Sequence, residues 1–241
     1  MTVKLPLAII QLESPPQAVS RQVGEQKQWF IEALELADDD YIVVRPDLGE
    51  ALPDVQQIAC AVLSGSWAMV TDHAEWSERT AAWVRHAVAE QLPLLGVCYG
   101  HQLMAYALGG EVGDNPKGWE RGVKLLQTTR AQRQDPLLAS VPERFTAWLS
   151  HRQSVLTPPP GAQVLAASAQ DGCQIIRYSA SALSLQFHPE FTPEIMAACL
   201  HNSLAPGEVQ KLLTQQPEPH WPRQLLRDFF QQAQPQQAKS A

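Results

Sequence analysis

Paired cysteines are missing from this sequence. Its four, Cys60, Cys98, Cys173 and Cys199, are scattered with no Cys-x-x-Cys spacing, which argues against a zinc knuckle or a disulfide framework and for reduced thiols in the cytoplasm. Long apolar runs are missing as well. The first, Leu5 to Ile10, ends at Gln11 and Glu13, well short of the ~20 residues of a membrane span and without the length or cleavage site of a signal peptide. Positive charge is scarce: 18 Lys plus Arg against 25 Asp plus Glu give a net charge of -7. That is the wrong sign for binding nucleic acid or an anionic membrane through clustered cations. What the chain does have is apolar mass. Its 241 residues are 45% hydrophobic and 18% charged, enough for a sizeable core in one large domain or two small ones, and disorder is excluded for most of the length.

Short apolar runs alternate with longer amphipathic stretches over the first hundred residues, the pattern of a parallel sheet covered by helices. Leu7 to Leu12, Tyr41 to Val44, Ala61 to Leu63 and Leu92 to Val97 read as strands. Between them, Val19 to Leu34 and Trp76 to Glu90 have helical spacing, and Tyr99 to Leu108 is a further helix stopped by Gly109-Gly110. After Asn115-Pro116 the runs shorten to Val123–Thr128, Val164–Ala167, Cys173–Tyr178 and Leu183–Phe187, which predicts an antiparallel portion with a turn at Pro158 to Gly161. Residues 1–205 are expected to form the domain. Residues 206–241 are expected to be an extension with one amphipathic helix, Trp221 to Phe230, and a frayed tail from Gln231.

Two strings carry chemistry. Gly96-Val97-Cys98-Tyr99-Gly100 joins a buried strand directly to a helix, as in a nucleophile elbow. Side chains two positions either side of the nucleophile would clash there, so both must be glycine. The sulfur would sit at a helix start, where the peptide dipole favours thiolate. Downstream, Phe187-His188-Pro189-Glu190 ends a strand. Residues two apart in an extended segment share a face, so Glu190 can fix the tautomer of His188 and leave its other nitrogen to accept a thiol proton.

With both strings present, the sequence resembles the class I glutamine amidotransferases. More narrowly it is similar to stand-alone proteins like the amidotransferase domain of GMP synthase, and the resemblance spans about residues 5 to 200. It implies an α/β fold: a flavodoxin-like, doubly wound, mostly parallel sheet with an antiparallel excursion and a C-terminal helical tail. It also implies catalytic roles for Cys98 as nucleophile, His188 as base and Glu190 as orienting carboxylate. Oxyanion donors would be the backbone N–H groups of Ser66 and Tyr99, since Ser64-Gly65-Ser66-Trp67 matches the family's Ser-Gly-Gly-Pro loop. Substrate contacts would fall on Gln102 and on Ser150-His151-Arg152-Gln153, whose main chain would meet the α-amino and α-carboxylate groups. Ser66 and Trp67 depart from Gly-Pro, which leaves open whether the oxyanion hole is preformed.

The implied reaction is hydrolysis of the glutamine γ-amide through a cysteinyl thioester, with ammonia passing to a separate synthase chain. The alternatives are a γ-glutamyl peptidase acting on glutathione-like compounds and a catalytically silent interaction subunit, with a DJ-1-type protein more distant. No cofactor, metal, nucleic acid or membrane is expected. The P-loop-like stretch from Gly113 continues as Gly118-Trp119-Glu120 without Lys-Ser/Thr and reads as a loop. His73, His86, His101, His151, His201 and His220 show no ligand pairing, and Asp38-Asp39-Asp40 reads as a turn.

Overall fold

All four residues of β1 (Leu7–Ile10) are buried, because the strand lies between parallel neighbours and beneath helices on both faces. Leu7 and Ile9 join Phe30, Val62 and Leu95 on one face. Ala8 and Ile10 join Ala61, Val84 and Leu103 on the other. A strand covered twice reads as an unbroken apolar run. A computed structural model describes residues 5–233.

The remaining parallel strands are β2 (Tyr41–Val44), β3 (Cys60–Leu63), β4 (Leu94–Val97) and β11 (Ala182–Leu185). The antiparallel ones are β6 (Glu120–Thr128), β7 (Arg144–His151), β9 (Gln163–Ser168) and β10 (Ile175–Arg177). Together they form a nine-stranded sheet in the order β2-β1-β3-β4-β11-β10-β9-β6-β7. β5 (Glu111–Asp114) and β8 (Gln153–Thr157) pair in a separate ribbon. Gly113 therefore lies in a strand and Glu120 opens another, so the stretch read as a loop is a turn only over its middle, where Asn115 Oδ1 accepts the Lys117 N–H at 2.9 Å.

The expected helix over Val19 to Leu34 is two, α1 (Gln17–Val23) and α2 (Gln26–Leu34). Gly24 breaks it at φ +74°, and the Gln28 side chain accepts the Glu25 N–H at 2.7 Å to start the second. α3 (Glu75–Ala89) and α4 (Tyr99–Ala107) cover the face opposite α2. Beyond the sheet lie α5 (Pro193–His201), α6 (Pro206–Thr214) and α7 (Trp221–Ala233). Leu225, Leu226, Phe229 and Phe230 of α7 are buried in the same cluster as Phe30 and Phe145, and Arg227 donates to the Ala33 carbonyl at 2.9 Å. The expected terminal helix is present and runs three residues past Phe230. The rest of the expected tail, 234–241, lies outside the described residues. No helix among those described is long and apolar enough to cross a membrane.

Candidate active site

β4 delivers Cys98 to the carboxyl edge of the parallel strands, where open α/β sheets place their sites. The residue adopts φ +51°, ψ -103°, a conformation L residues avoid and one that surrounding structure must impose. The glycines around it make this possible. A Cβ on Gly96 would lie 2.5 Å from the Gly100 carbonyl oxygen, and one on Gly100 2.6 Å from that of Leu63 in β3. Both obstacles are backbone and neither can yield. Gly100 N–H and Gln102 N–H donate to the Ser64 and Cys98 carbonyls at 3.1 Å. The Tyr99 N–H, at the first position of α4, has no acceptor within the helix.

His188 follows β11, its N–H donating to the Trp148 carbonyl at 2.9 Å. Its ring stacks on Phe191 with centroids 3.9 Å apart. Nδ1 donates to Glu190 Oε1 at 2.7 Å, and the Glu190 side chain is fully buried. This leaves Nε2 as the available nitrogen. Gly65 packs against both partners of the pair: a Cβ there would stand 3.1 Å from His188 Cε1 and 3.6 Å from Cys98 Cβ. Burial by itself would lower the His188 pKa, but the Glu190 carboxylate, followed by the Cys98 sulfur, outweighs it and raises the value. Burial pushes the other thiols up, Cys60 and Cys199 to about 12 and Cys173 to about 11.

Cys98 and His188 open into a cleft that is also lined by Ser66, Tyr99, Gln102, Ser150, His151, Arg152 and Gln153. The fold therefore gathers every site residue read from the sequence at this cleft or, for Glu190, directly behind it. Their side chains are used unequally. Gln102 Nε2 donates to the Gln153 carbonyl at 2.7 Å and to Gln186 Oε1 at 2.9 Å, which leaves its own carbonyl oxygen for a ligand. The Tyr99 hydroxyl is withdrawn to Ser77 at 2.7 Å, so only its main chain can serve the site. The Ser150 carbonyl accepts from the Cys98 thiol at 3.9 Å. Arg152 leans outward to Asp114 at 3.3 Å, and Gln153 Nε2 donates to Thr71 at 2.7 Å.

His151 turns its ring away. Nδ1 donates to the Gln153 carbonyl at 2.8 Å, Nε2 meets Glu120 at 3.0 Å, and Gln174 also donates to Glu120 at 2.9 Å. Glu120, His151 and Asp171 make the one group among the described residues with metal-ligand spacing, their ligand atoms all within 4.8 Å of one another. The sequence shows no such pairing for His151, because its partners come from distant segments. Both His151 ring nitrogens already have partners within the protein, so neither is free for a ligand. Burial raises the Asp171 pKa. His101 is likewise structural: Nδ1 contacts Ser184 Oγ at 2.7 Å, and burial, then the neighbouring His151, lowers its pKa to about 3.

Sequence reasoning did not single out Glu13, Gln26, Trp29 or Trp119. Gln26, Trp29 and Trp119 line the cleft. Glu13, three residues beyond β1, accepts at one oxygen from Ser66 Oγ at 2.7 Å, Trp67 N–H at 2.8 Å and Ala68 N–H at 3.0 Å. At the back, Arg223 of α7 donates to the Glu190 carbonyl at 3.0 Å.

Residues 27–205 match the family model for glutamine amidotransferase class-I. This chain is a class I glutamine amidotransferase. Among curated relatives, the glutamine-hydrolyzing GMP synthase of Aeropyrum pernix is 37% identical over 145 residues, 59% of this chain but 26% of that protein. The chain thus spans about a quarter of that relative's length. A glutamine-hydrolyzing GMP synthase subunit of Ignicoccus hospitalis is 32% identical over 139 residues, 57% of this chain and 70% of that one. A glutamine amidotransferase of Thermotoga maritima superposes with TM-score 0.77 at 18% identity, covering 96% of this chain and 99% of that one. One from Methylobacillus flagellatus gives the same score at 19% identity, covering 99% of each. The two solved structures establish the shared fold, including the mostly parallel sheet with helices on both sides.

Proposed function

We propose that this amidotransferase hydrolyses the γ-carboxamide of glutamine to glutamate and ammonia through a thioester on Cys98. The observation that carries the reading is Cys98 on a strained elbow in one cleft with His188, whose Nδ1 is held by Glu190. His188 Nε2 takes the thiol proton and the sulfur bonds to the γ-carbon as the carbonyl π pair moves onto oxygen. The N–H groups of Ser66 and Tyr99 stabilise that oxyanion. As the intermediate collapses, the carbon–nitrogen bond breaks and His188 returns its proton to the departing ammonia. Water then adds to the thioester by the same route and frees glutamate. Gln102 and the main chain of residues 150–153 hold the amino-acid end of the substrate. Relatives whose names mark them as one chain of a divided GMP synthase support a separate synthase chain as the destination of the ammonia, and four unpaired thiols fit the cytoplasm as its setting.

A second reading, cleavage of γ-glutamyl peptides, has its own observation. Trp67 and Trp119 both line the cleft at 36% and 48% exposure, an apolar rim for which ammonia as leaving group has no use. Purified protein offered glutamine and glutathione separately, with glutamate release measured, tests both readings. Glutamate from glutamine supports the first, glutamate from glutathione alone the second, and neither product from an intact fold favours the catalytically silent reading.

A further inference from the structure

We propose that Glu13 is the positioning residue of the oxyanion loop and holds it ready without a partner chain. The inference rests on the hydrolytic reading above. Of the loop Ser64-Gly65-Ser66-Trp67-Ala68, the critical unit is the Gly65–Ser66 peptide, which carries one of the two oxyanion donors. A compact Gly-Pro would stiffen such a loop, and this chain has Ser66-Trp67 instead.

Three contacts on one carboxylate oxygen take over that task. Glu13 accepts the Ser66 hydroxyl at 2.7 Å and the two backbone N–H groups that follow, at 2.8 and 3.0 Å, and charge-assisted bonds of this kind are among the stronger ones. Ser66 Oγ in turn accepts the Ala68 N–H at 3.0 Å. The loop beyond the critical peptide is therefore gathered around one anion.

The other end of the peptide is held as well. Its carbonyl, on Gly65, accepts from Ser64 Oγ at 2.8 Å and Gln26 Nε2 at 3.3 Å. In a trans peptide the N–H points opposite to the C=O, and the described residues contain no cis bond. Fixing the Gly65 carbonyl thus fixes the direction of the Ser66 N–H, and Glu13 prevents the following residues from rotating the plane. The anchor is itself tied down: Gln11 Nε2 donates to the Glu13 carbonyl at 3.2 Å, and Leu12 N–H donates to Ser64 Oγ at 3.0 Å, joining the segment after β1 to the segment after β3.

The test compares two reactions of one thiol in the wild type, Glu13→Ala and the milder Glu13→Gln, each checked for an unchanged circular dichroism spectrum. A chloromethyl ketone analogue of glutamine reacts through addition of Cys98 to a carbonyl and so builds an oxyanion, whereas iodoacetamide alkylates the sulfur by direct displacement of iodide and builds none. Removing one oxyanion donor costs on the order of 10²- to 10³-fold in rate. Glu13→Ala is expected to slow both glutamine hydrolysis and chloroketone labelling at least ~10-fold. Glu13→Gln should fall between it and the wild type, with KM and the iodoacetamide rate within about twofold of the wild type. Equal slowing by both reagents, or no slowing by either in the folded variants, overturns the assignment. If the chloroketone fails to label Cys98 in the wild type, the hydrolytic reading falls first and takes this one with it.

Discussion

The His188 imidazole and the Glu190 carboxylate are joined at 2.7 Å, with the acid fully buried and the base beside the cleft. That carboxylate, with the Cys98 sulfur on the other side of the ring, raises the His188 pKa from 6.5 to about 10, so a proton taken from the thiol is held on the imidazole. Because the folded value is raised, the pair adds stability that is complete below the ordinary histidine value of 6.5 and disappears as pH climbs toward about 10. The Glu190→Gln variant should therefore lose stability relative to the wild type near pH 6, with the gap closing on the alkaline side in denaturant titrations. Its turnover should fall less than that of His188→Ala, for which ~10²- to 10⁴-fold is expected. An equal fall would give Glu190 a second role.

The backbone at Cys98 stores strain. Cys98→Ala and Cys98→Gly should both abolish turnover, but glycine relieves a conformation costing about 1–3 kcal/mol while losing ~0.5–1 kcal/mol in chain entropy. The glycine variant should melt higher than the alanine variant, and the reverse order in thermal scans would mean the elbow is relaxed.

Gly96→Ala and Gly100→Ala each drive a methyl group into backbone at 2.5–2.6 Å. Overpacking of this kind costs about 1–3 kcal/mol, read as a shift in denaturant midpoint. A midpoint unchanged in either variant would remove the steric account of the motif.

Glu120 and His151 meet with each side chain 1% exposed. Glu120→Ala leaves the His151 ring and the Gln174 amide without their buried acceptor, which should cost about 1–3 kcal/mol, and replacing both partners by apolar residues should recover much of that loss. Additive losses in this double-mutant cycle would show that the two do not act as a pair.

Alkylation at neutral pH should mark Cys98 first, since burial holds the thiols of Cys60, Cys173 and Cys199 far up their range. Mass spectrometry of tryptic fragments reads the order. Label chiefly on Cys199, which shares the cleft, would point to a different nucleophile.

The elbow and the His-Pro-Glu string were legible because each packs its requirement into a few consecutive residues: a turn only glycine can border, and a histidine two positions from the carboxylate it meets. The parallel half of the sheet was legible for a related reason, since strands covered on both faces are short apolar runs. Glu13 was not legible. It reaches Ser66 across 53 residues, and nothing near it in sequence distinguishes it from a solvated glutamate. β7 interleaves Arg144, Thr146, Ser150 and His151 with its apolar residues, so its apolar run is only Ala147 to Leu149, and β5 has no fully buried residue. The break between α1 and α2 was masked because apolar spacing continues across Gly24, and only a positive φ reveals the turn.

Arg223 holds the carbonyl of Glu190 from a helix that begins after the family-model match ends at residue 205. Four apolar side chains of that helix complete one face of the core. Helix α7 is thus a buttress on the turn that carries His188 and Glu190. A fragment cut at the family boundary would bare the hydrophobic seam left by α7 and leave the loop carrying Glu190 without its brace, so shortening the protein there amounts to loosening His188 from behind.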